Sequence, residues 1–477
     1  MTDVLKDLKE LLSTISTRRI SVQLSSDEWF EAVTELQENL LQTTIKYVYH
    51  NVPWYRKLLS KLHIVPENIK TKRDLSKLPF TTKKDLLRNW SDFISRTAKI
   101  IGLKTTSGTI ARTFICVSQE ELDALKMVYD IRSKLHPSEP VQDEYAPILL
   151  RVITPHRIIY PMARVESPLT LVVTYNPWDV NIPWSYRTTT AENIASLLSE
   201  EFNIAGRKYK VTYLSIYPEL IKQLTYHLYQ FGIDPKELKL KGIYTTGSYV
   251  TESLRRFVSE HWGAEIFSSY SLTEINTIAI ECAFHTLHHF DIFAIPEVVD
   301  PRTGKPVSPG EEGILVLTSL YPFQQAQPLI RYWTDDVVVL TEEICKCGFK
   351  GISIKRFVGR YKYCIDLRDI LPASFKKKFF SHIDVYEILD SFSELAAMNP
   401  PRFLIKKLKK EDTVKILIEA ELLHKISERR KKDLEKEIKE KIEYRYSEWE
   451  PYFSSGKITL LVKLSERDKP RPYFWRV

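Results

Sequence analysis

Apolar residues recur every three or four positions from Trp29 through Val33, Leu36, Leu40 and Leu41 to Ile45 and Val48. That is the period of one face of an α-helix. Just ahead of it, Ser25-Ser-Asp-Glu28 reads as a capping box, in which Ser25 and Glu28 satisfy amides that a helix start leaves unpaired. Pro53 ends the helix, because it lacks an amide hydrogen and its ring clashes with the preceding turn. Further on the pattern changes to short apolar runs: Ile148-Leu-Leu-Arg-Val-Ile153, Leu169-Thr-Leu-Val-Val-Thr174 and Val211-Thr-Tyr-Leu-Ser-Ile216. They are interrupted by helical stretches, such as the capped start at Thr188-Thr-Thr-Ala-Glu-Asn-Ile194. This alternation predicts an α/β fold with a mostly parallel sheet.

Two such runs break into small polar residues. One is Gly242-Ile-Tyr-Thr-Thr-Gly-Ser248, and the other, Ala264-Glu-Ile-Phe267, continues as Ser-Ser-Tyr-Ser-Leu-Thr-Glu274. Open α/β sheets bind ligands outside the carboxyl ends of their strands. Thr273 and Glu274 would there present hard oxygens, suited to Mg²⁺ and through it to nucleotide phosphates. Read alone, the run is more simply a strand end with a solvated Glu274, and it is the company of the other runs that changes the reading.

The closing part of the chain reads as a small α+β unit. Its strands are Phe403-Leu-Ile405, Val414-Lys-Ile-Leu-Ile418 and Ile458-Thr-Leu-Leu-Val462, and Leu434, Ile438 and Ile442 mark a helix. A chain of 477 residues exceeds one core, so two or three domains are expected. No apolar run reaches the length of a membrane span, and Met1-Thr-Asp-Val-Leu-Lys6 has no signal-peptide pattern. Five unevenly spaced cysteines make no disulfide framework, so a cytoplasmic protein is the expectation. The net charge of +8 sits largely in Lys406-Lys-Leu-Lys-Lys410 and Arg429-Arg-Lys-Lys432, both close to acidic residues. Solvated faces explain this better than a nucleic-acid groove.

Cys345-Lys-Cys347, with Cys282 and His288, offers three thiolates and an imidazole for a tetrahedral Zn²⁺ site. His285 and His289 are rival ligands, and buried, inert thiols are the alternative. Four protein ligands would leave no open position, so the site would be structural.

In this order, the Gly242–Ser248 and Phe267–Glu274 runs, Ile330-Arg-Tyr-Trp-Thr-Asp-Asp336 and Phe357-Val-Gly-Arg360 resemble the acyl-adenylate-forming enzymes. The likeness is greatest to the phenylacetate–coenzyme A ligase family, whose N-terminal phrases match Asn51-Val-Pro-Trp-Tyr55 and Leu78-Pro-Phe-Thr-Thr-Lys83. The resemblance runs from about Tyr47 to the end of the chain. It implies a large N-terminal α/β domain over 1–361, helical to about residue 95, with a small β-subdomain around Val298–Thr318. A C-terminal lid over 362–477 would follow a hinge at Lys362.

The resemblance also distributes roles. Thr105, Thr106, Ser107, Gly108, Thr109 and Arg112 would cradle the outer phosphates of ATP, although Ile110 and Ala111 replace the usual hydroxyl and glycine. Thr246, Gly247, Ser248 and Tyr270 would frame adenine, Thr273 would contact the α-phosphate and Glu274 would hold Mg²⁺. Asp336 and Arg360 would fix the ribose. A lysine on the lid normally enters the site; position 473 is Tyr here, so Lys469 is the candidate, with Arg471 as its rival and a plain charged surface tail as the equal alternative. The implied activity is ATP-dependent activation of a carboxylic acid, aryl or arylalkyl by class, then transfer to coenzyme A. Two alternatives stay open: a degenerate paralogue that only binds nucleotide or acyl-adenylate, and an adenylating enzyme with another acceptor. Homodimerisation is also left open, and no nucleic-acid or membrane partner is expected.

Overall fold

The structure is a computed structural model, and it describes residues 26–105, 114–135, 145–153, 169–174, 191–410 and 412–466. The described residues open on helix α1 (Ser26–Asn51), whose buried face carries Leu36, Leu40, Leu41, Ile45 and Val48. Ser25 and the Trp29 side chain lie outside the described residues. Val52 is extended, as a residue before proline must be, and Pro53 then opens α2 (Pro53–Lys61). The proline therefore starts the next helix as well as ending the first. Helix α3 (Lys83–Arg88) is capped by Thr82, which exchanges hydrogen bonds with Asp85.

Strands β1 (Ile100–Thr105) and β2 (Phe114–Ser118) form an antiparallel hairpin that leads into α4 (Gln119–Leu135). The parallel half of the main sheet is built from β3 (Ala146–Ile153), β4 (Leu169–Thr174), β6 (Arg207–Ser215), β7 (Gly242–Thr246) and β8 (Ile266–Ser271). Short β5 (Glu201–Ile204) pairs antiparallel with β6. Helices α5 (Ala191–Ser199), α6 (Pro218–Gln230) and α7 (Glu252–Trp262) cover one face. Their core includes Leu150, Leu214, Ile243, Val258 and Trp262.

After β8 the sheet turns antiparallel through β9 (Ile278–Glu281), β10 (His288–Phe290), β11 (Ala294–Val299), β12 (Gly313–Ser319), β13 (Tyr332–Thr341) and β14 (Ser353–Arg360). The spatial order is β11-β12-β13-β14-β10-β9-β8-β7-β6-β3-β4. The strands that the resemblance groups as a β-subdomain thus continue the same sheet. A second core joins α1 and α2 to this half through Ile45, Phe93, Leu317 and Phe323.

From Ile365 onward a third core forms among β15 (Ile365–Asp366), β16 (Phe379–Phe380), α8 (His382–Leu389), β17 (Phe403–Lys410), β18 (Thr413–Leu422), α9 (Glu428–Arg445), α10 (Glu450–Ser454) and β19 (Ile458–Glu466). Phe380 packs in that core, while its neighbour Phe379 packs with Val299, Ile314, Val337 and Val358 of the main body. Buried Glu312 accepts hydrogen bonds from the amides of Lys378 and Phe379, and Arg356 joins Glu312 to Asp384.

His382, in the first turn of α8, is 5% exposed and fills the space beside Gly359. Gly359 adopts φ +125°, and a β-carbon there would lie 2.0 Å from the imidazole, so only glycine fits. Burial, helped by Arg360, holds the imidazole pKa down at about 4. Between the unfolded value near 6.5 and about 4, the unfolded chain binds the proton and the folded one does not. Stability is therefore lost as pH falls through that window, by up to about 1.4 kcal/mol per pH unit from this group. Thermal midpoints from pH 7 to 4.5 should fall less steeply in His382→Phe than in the parent. Parallel profiles would show that the ring is not held neutral.

A nucleotide-type site and a thiol–imidazole cluster

The carboxyl ends of β7 and β8 meet the amino end of β13 and the carboxyl end of β14. Asp336 and Arg360 are partners across the β13–β14 ladder, with Arg360 Nε 3.0 Å from Asp336 Oδ1. The other carboxylate oxygen of Asp336 accepts a 2.7 Å hydrogen bond from the Tyr270 hydroxyl of β8. Burial pushes the Asp336 carboxyl up, and Arg360 with Tyr270 works against it. Burial and Asp336 together push the Tyr270 phenol well up, so it stays a donor.

The loop after β8 carries Thr273, half-buried, and Glu274, 7% exposed. Glu274 accepts a hydrogen bond from the Tyr332 hydroxyl of β13 at 3.2 Å. Two phenols thus cross in opposite directions: β8 donates to the carboxylate of β13, and β13 donates to the carboxylate that follows β8. On the β7 side, Thr246 and Ser271 hydroxyls lie 3.1 Å apart, Gly247 has φ +88°, and Ser248 donates to Glu219 of α6.

Two non-glycine residues in this motif are left-handed, Arg331 at φ +50° and Asp335 at φ +63°. Such conformations persist only where surroundings over-determine them. For Arg331 the surroundings are the N-terminal phrases. Thr81 bridges main chain to Arg331 and Trp333, its hydroxyl donates to the Ile330 carbonyl, and the Tyr55 hydroxyl accepts from the Ile330 amide. The Arg331 guanidinium donates to the Leu78 carbonyl, pairs with Glu297 and stacks over Phe80. For Asp335, the Trp333 indole donates to its carboxylate at 2.8 Å. These two turns aim Tyr332 at Glu274 and Asp336 at Tyr270.

The same phrase ends in Lys83, whose Nζ reaches 3.8 Å from Glu274 Oε1. Lys83 and Tyr332 were not singled out as site residues from sequence. The only signal for Lys83 was its place in the N-terminal phrase.

The expected phosphate loop falls between β1 and β2 in the sequence. Thr105 ends β1, but its side chain and all of Thr106, Ser107, Gly108, Thr109 and Arg112 lie outside the described residues, as does Lys469.

The cysteines gather elsewhere. Cys282, His289, Cys345 and Cys347 bring their ligand atoms within 4.8 Å of one another. Cys282 and Cys345 sulfurs are 3.6 Å apart, and Cys347 Sγ lies 3.3 Å from His289 Nε2. A tetrahedron with Zn–S near 2.3 Å has edges of about 3.5–3.8 Å, so these spacings suit zinc, and a disulfide's S–S of roughly 2 Å they do not.

The imidazole is a correction: His289 faces the cluster, not His288. The two are neighbours on β10, and side chains of a strand alternate. His288 points the other way, with Nε2 2.5 Å from Ser268 Oγ and its ring edge-on to Phe357. His289 Nδ1 contacts the Ser353 hydroxyl at 2.7 Å, which turns Nε2 to the thiols, and burial keeps it neutral. Burial opposes ionisation of Cys282, yet hydrogen bonds from Thr286, Leu287 and Phe284 prevail and hold its pKa at about 5. A thiolate is therefore available there near neutral pH.

No helix among the described residues is long and apolar enough to cross a membrane. No family model matches the chain. It is 26% identical over 364 residues to a phenylacetate-coenzyme A ligase of Thermus thermophilus, covering 71% of this chain and 73% of that protein. The corresponding figures for the ligase of Escherichia coli K12 are 26% over 329 residues, 64% and 66%. Among solved structures, 2-hydroxyisobutyryl-CoA ligase in the postadenylation state with 2-HIB-AMP matches with a TM-score of 0.63. The match covers 95% of this chain and 89% of that one at 14% identity, a likeness of fold.

Proposed function

We propose that the chain is a divergent member of the phenylacetate–coenzyme A ligase family of acyl-adenylate-forming enzymes, which activates a carboxylic acid with ATP and passes the acyl group to coenzyme A. An aryl or arylalkyl acid is the substrate class the family likeness suggests. What carries the reading is the convergence of Glu274, Asp336, Arg360, Tyr270 and Lys83 at the carboxyl edge of β8.

In the first half-reaction an acid oxygen attacks the α-phosphorus and the bond to pyrophosphate breaks. Thr246, Gly247, Ser248 and Tyr270 would frame adenine. An ionised carboxylate has about four lone-pair sites. Tyr270 and Arg360 take two on Asp336, which leaves acceptors for both ribose hydroxyls. Glu274 would hold Mg²⁺, which supplies charge neutralisation for the leaving pyrophosphate. Lys83, beside it, brings a second cation toward the same phosphates, and Thr273 would meet the α-phosphate. Residues 362–477 would act as the lid, with Lys362 at the hinge. In the second half-reaction the thiol attacks the acyl carbon and AMP leaves. The cluster of Cys282, His289, Cys345 and Cys347 would hold a structural Zn²⁺, since four protein ligands close its coordination.

The test is exchange of labelled pyrophosphate into ATP by the purified protein across a panel of carboxylic acids. Acid-dependent exchange is expected, and none with any acid would leave a nucleotide-binding paralogue as the reading. Lys83→Met should slow exchange about 10²–10³-fold with little change in melting temperature. An unchanged rate would remove Lys83 from the site.

A further inference from the structure

Glu121 lies in the first turn of α4 and is wholly buried, yet it belongs to none of the groups described above. One carboxylate oxygen accepts from the amides of Gln325 and Ala326, both at 3.0 Å. The other faces the Asn276 side-chain nitrogen at 3.5 Å. Asn276 is fixed on every side: its Nδ2 also donates to the Phe323 carbonyl, and its Oδ1 accepts from the Lys104 ammonium. Its amide donates to the Gln324 side chain, which in turn donates to the Glu274 carbonyl at 2.8 Å. Lys104 is the penultimate residue of β1.

A carboxylate enclosed this completely is expensive unless paired and hydrogen-bonded. Holding the 325–326 segment needs only the two amides. The Asn276–Lys104 arm adds something else, a polar link from the hairpin to the backbone of Glu274.

We infer that Glu121 is a positioning residue: through Asn276 and Lys104 it sets the β1–β2 hairpin in register with Glu274, and so aligns the triphosphate with its metal-binding carboxylate. The role in triphosphate alignment rests on the adenylation reading, and the brace itself does not.

Glu121→Gln separates the two arms. The introduced carbonyl can still accept from Gln325 and Ala326, so the loop clamp survives. The introduced amide then meets the Asn276 amide, donor against donor, and Asn276 cannot flip without losing Lys104 and Phe323. The expected result is a rise of about 10–100-fold in the KM for MgATP, an unchanged KM for the acid and a nearly unchanged melting temperature. Backbone hydrogen exchange in 100–105 and 114–118 should quicken. Adding Asn276→Asp returns a negative charge to the other side of the same contact and should restore both readouts in part. Unchanged hairpin exchange in Glu121→Gln would overturn the brace, whatever the activity. Quicker hairpin exchange with an unchanged KM for MgATP would overturn the alignment role. An equal rise in both KM values with a general loss of melting temperature would reduce Glu121 to a fold-holding group and also overturn it. A parent protein without pyrophosphate exchange would sink the adenylation reading and with it the alignment role, while the hydrogen-exchange comparison still decides the brace.

Discussion

Replacing Glu274 with Gln should abolish pyrophosphate exchange, by about three orders of magnitude, and leave the melting temperature within a few degrees of the parent. The substitution keeps the shape of the side chain and keeps an acceptor for the Tyr332 hydroxyl, so the packing around this buried group has little reason to change. What disappears is the negative charge. A neutral amide is a poor ligand for a hard dication. Groups aimed at charge that develops in a transition state are each worth roughly 10²–10³ in rate. Lys83 sharpens the expectation, because its ammonium, now without Glu274 as partner, stands near the same phosphates. Exchange within threefold of the parent would mean that the metal, and with it the phosphates, lies elsewhere.

The second large effect belongs to the thiol–imidazole cluster. Protein purified without added zinc should carry about one equivalent, and changing Cys345 and Cys347 together to Ser should release it and lower the melting temperature by several degrees at least. With zinc bound, the four ligands would tie the turn after β9 and strand β10 to the connection between β13 and β14, and losing the metal would untie three segments at once. The histidines give a sharper comparison: His289→Ala should lose the metal and His288→Ala should retain it. Metal-free parent protein, or metal retained in His289→Ala, would contradict the assignment.

How much of this could be read beforehand depended on the range of the contact. Strand runs such as Gly242–Thr246 and the Leu434, Ile438, Ile442 stripe carry local periodicity, and both became the expected elements. Glu274, Asp336 and Arg360 stood in short phrases whose order was itself informative, and the fold brought them together. Lys83 and Tyr332 escaped because their partner, Glu274, is far away in sequence, and spacing carries no trace of such a contact. His289 was weighed only as a rival to His288, since two adjacent histidines on a three-residue strand show no alternation from which to choose a face. The phrases around Tyr55 and Thr81 were recognisable as words. Their work, holding the left-handed turn at Arg331, needed the structure.

The most direct measurement follows oxygen. A carboxylic acid that supports exchange is prepared with both carboxyl oxygens as ¹⁸O and turned over with ATP and coenzyme A, and the AMP released is weighed by mass spectrometry. If an acid oxygen attacks the α-phosphorus and the carbon–oxygen bond later breaks, each AMP gains one ¹⁸O and rises by about two mass units, one label per turnover. Unlabelled AMP, or ADP in place of AMP, would contradict an acyl-adenylate and with it the proposed function.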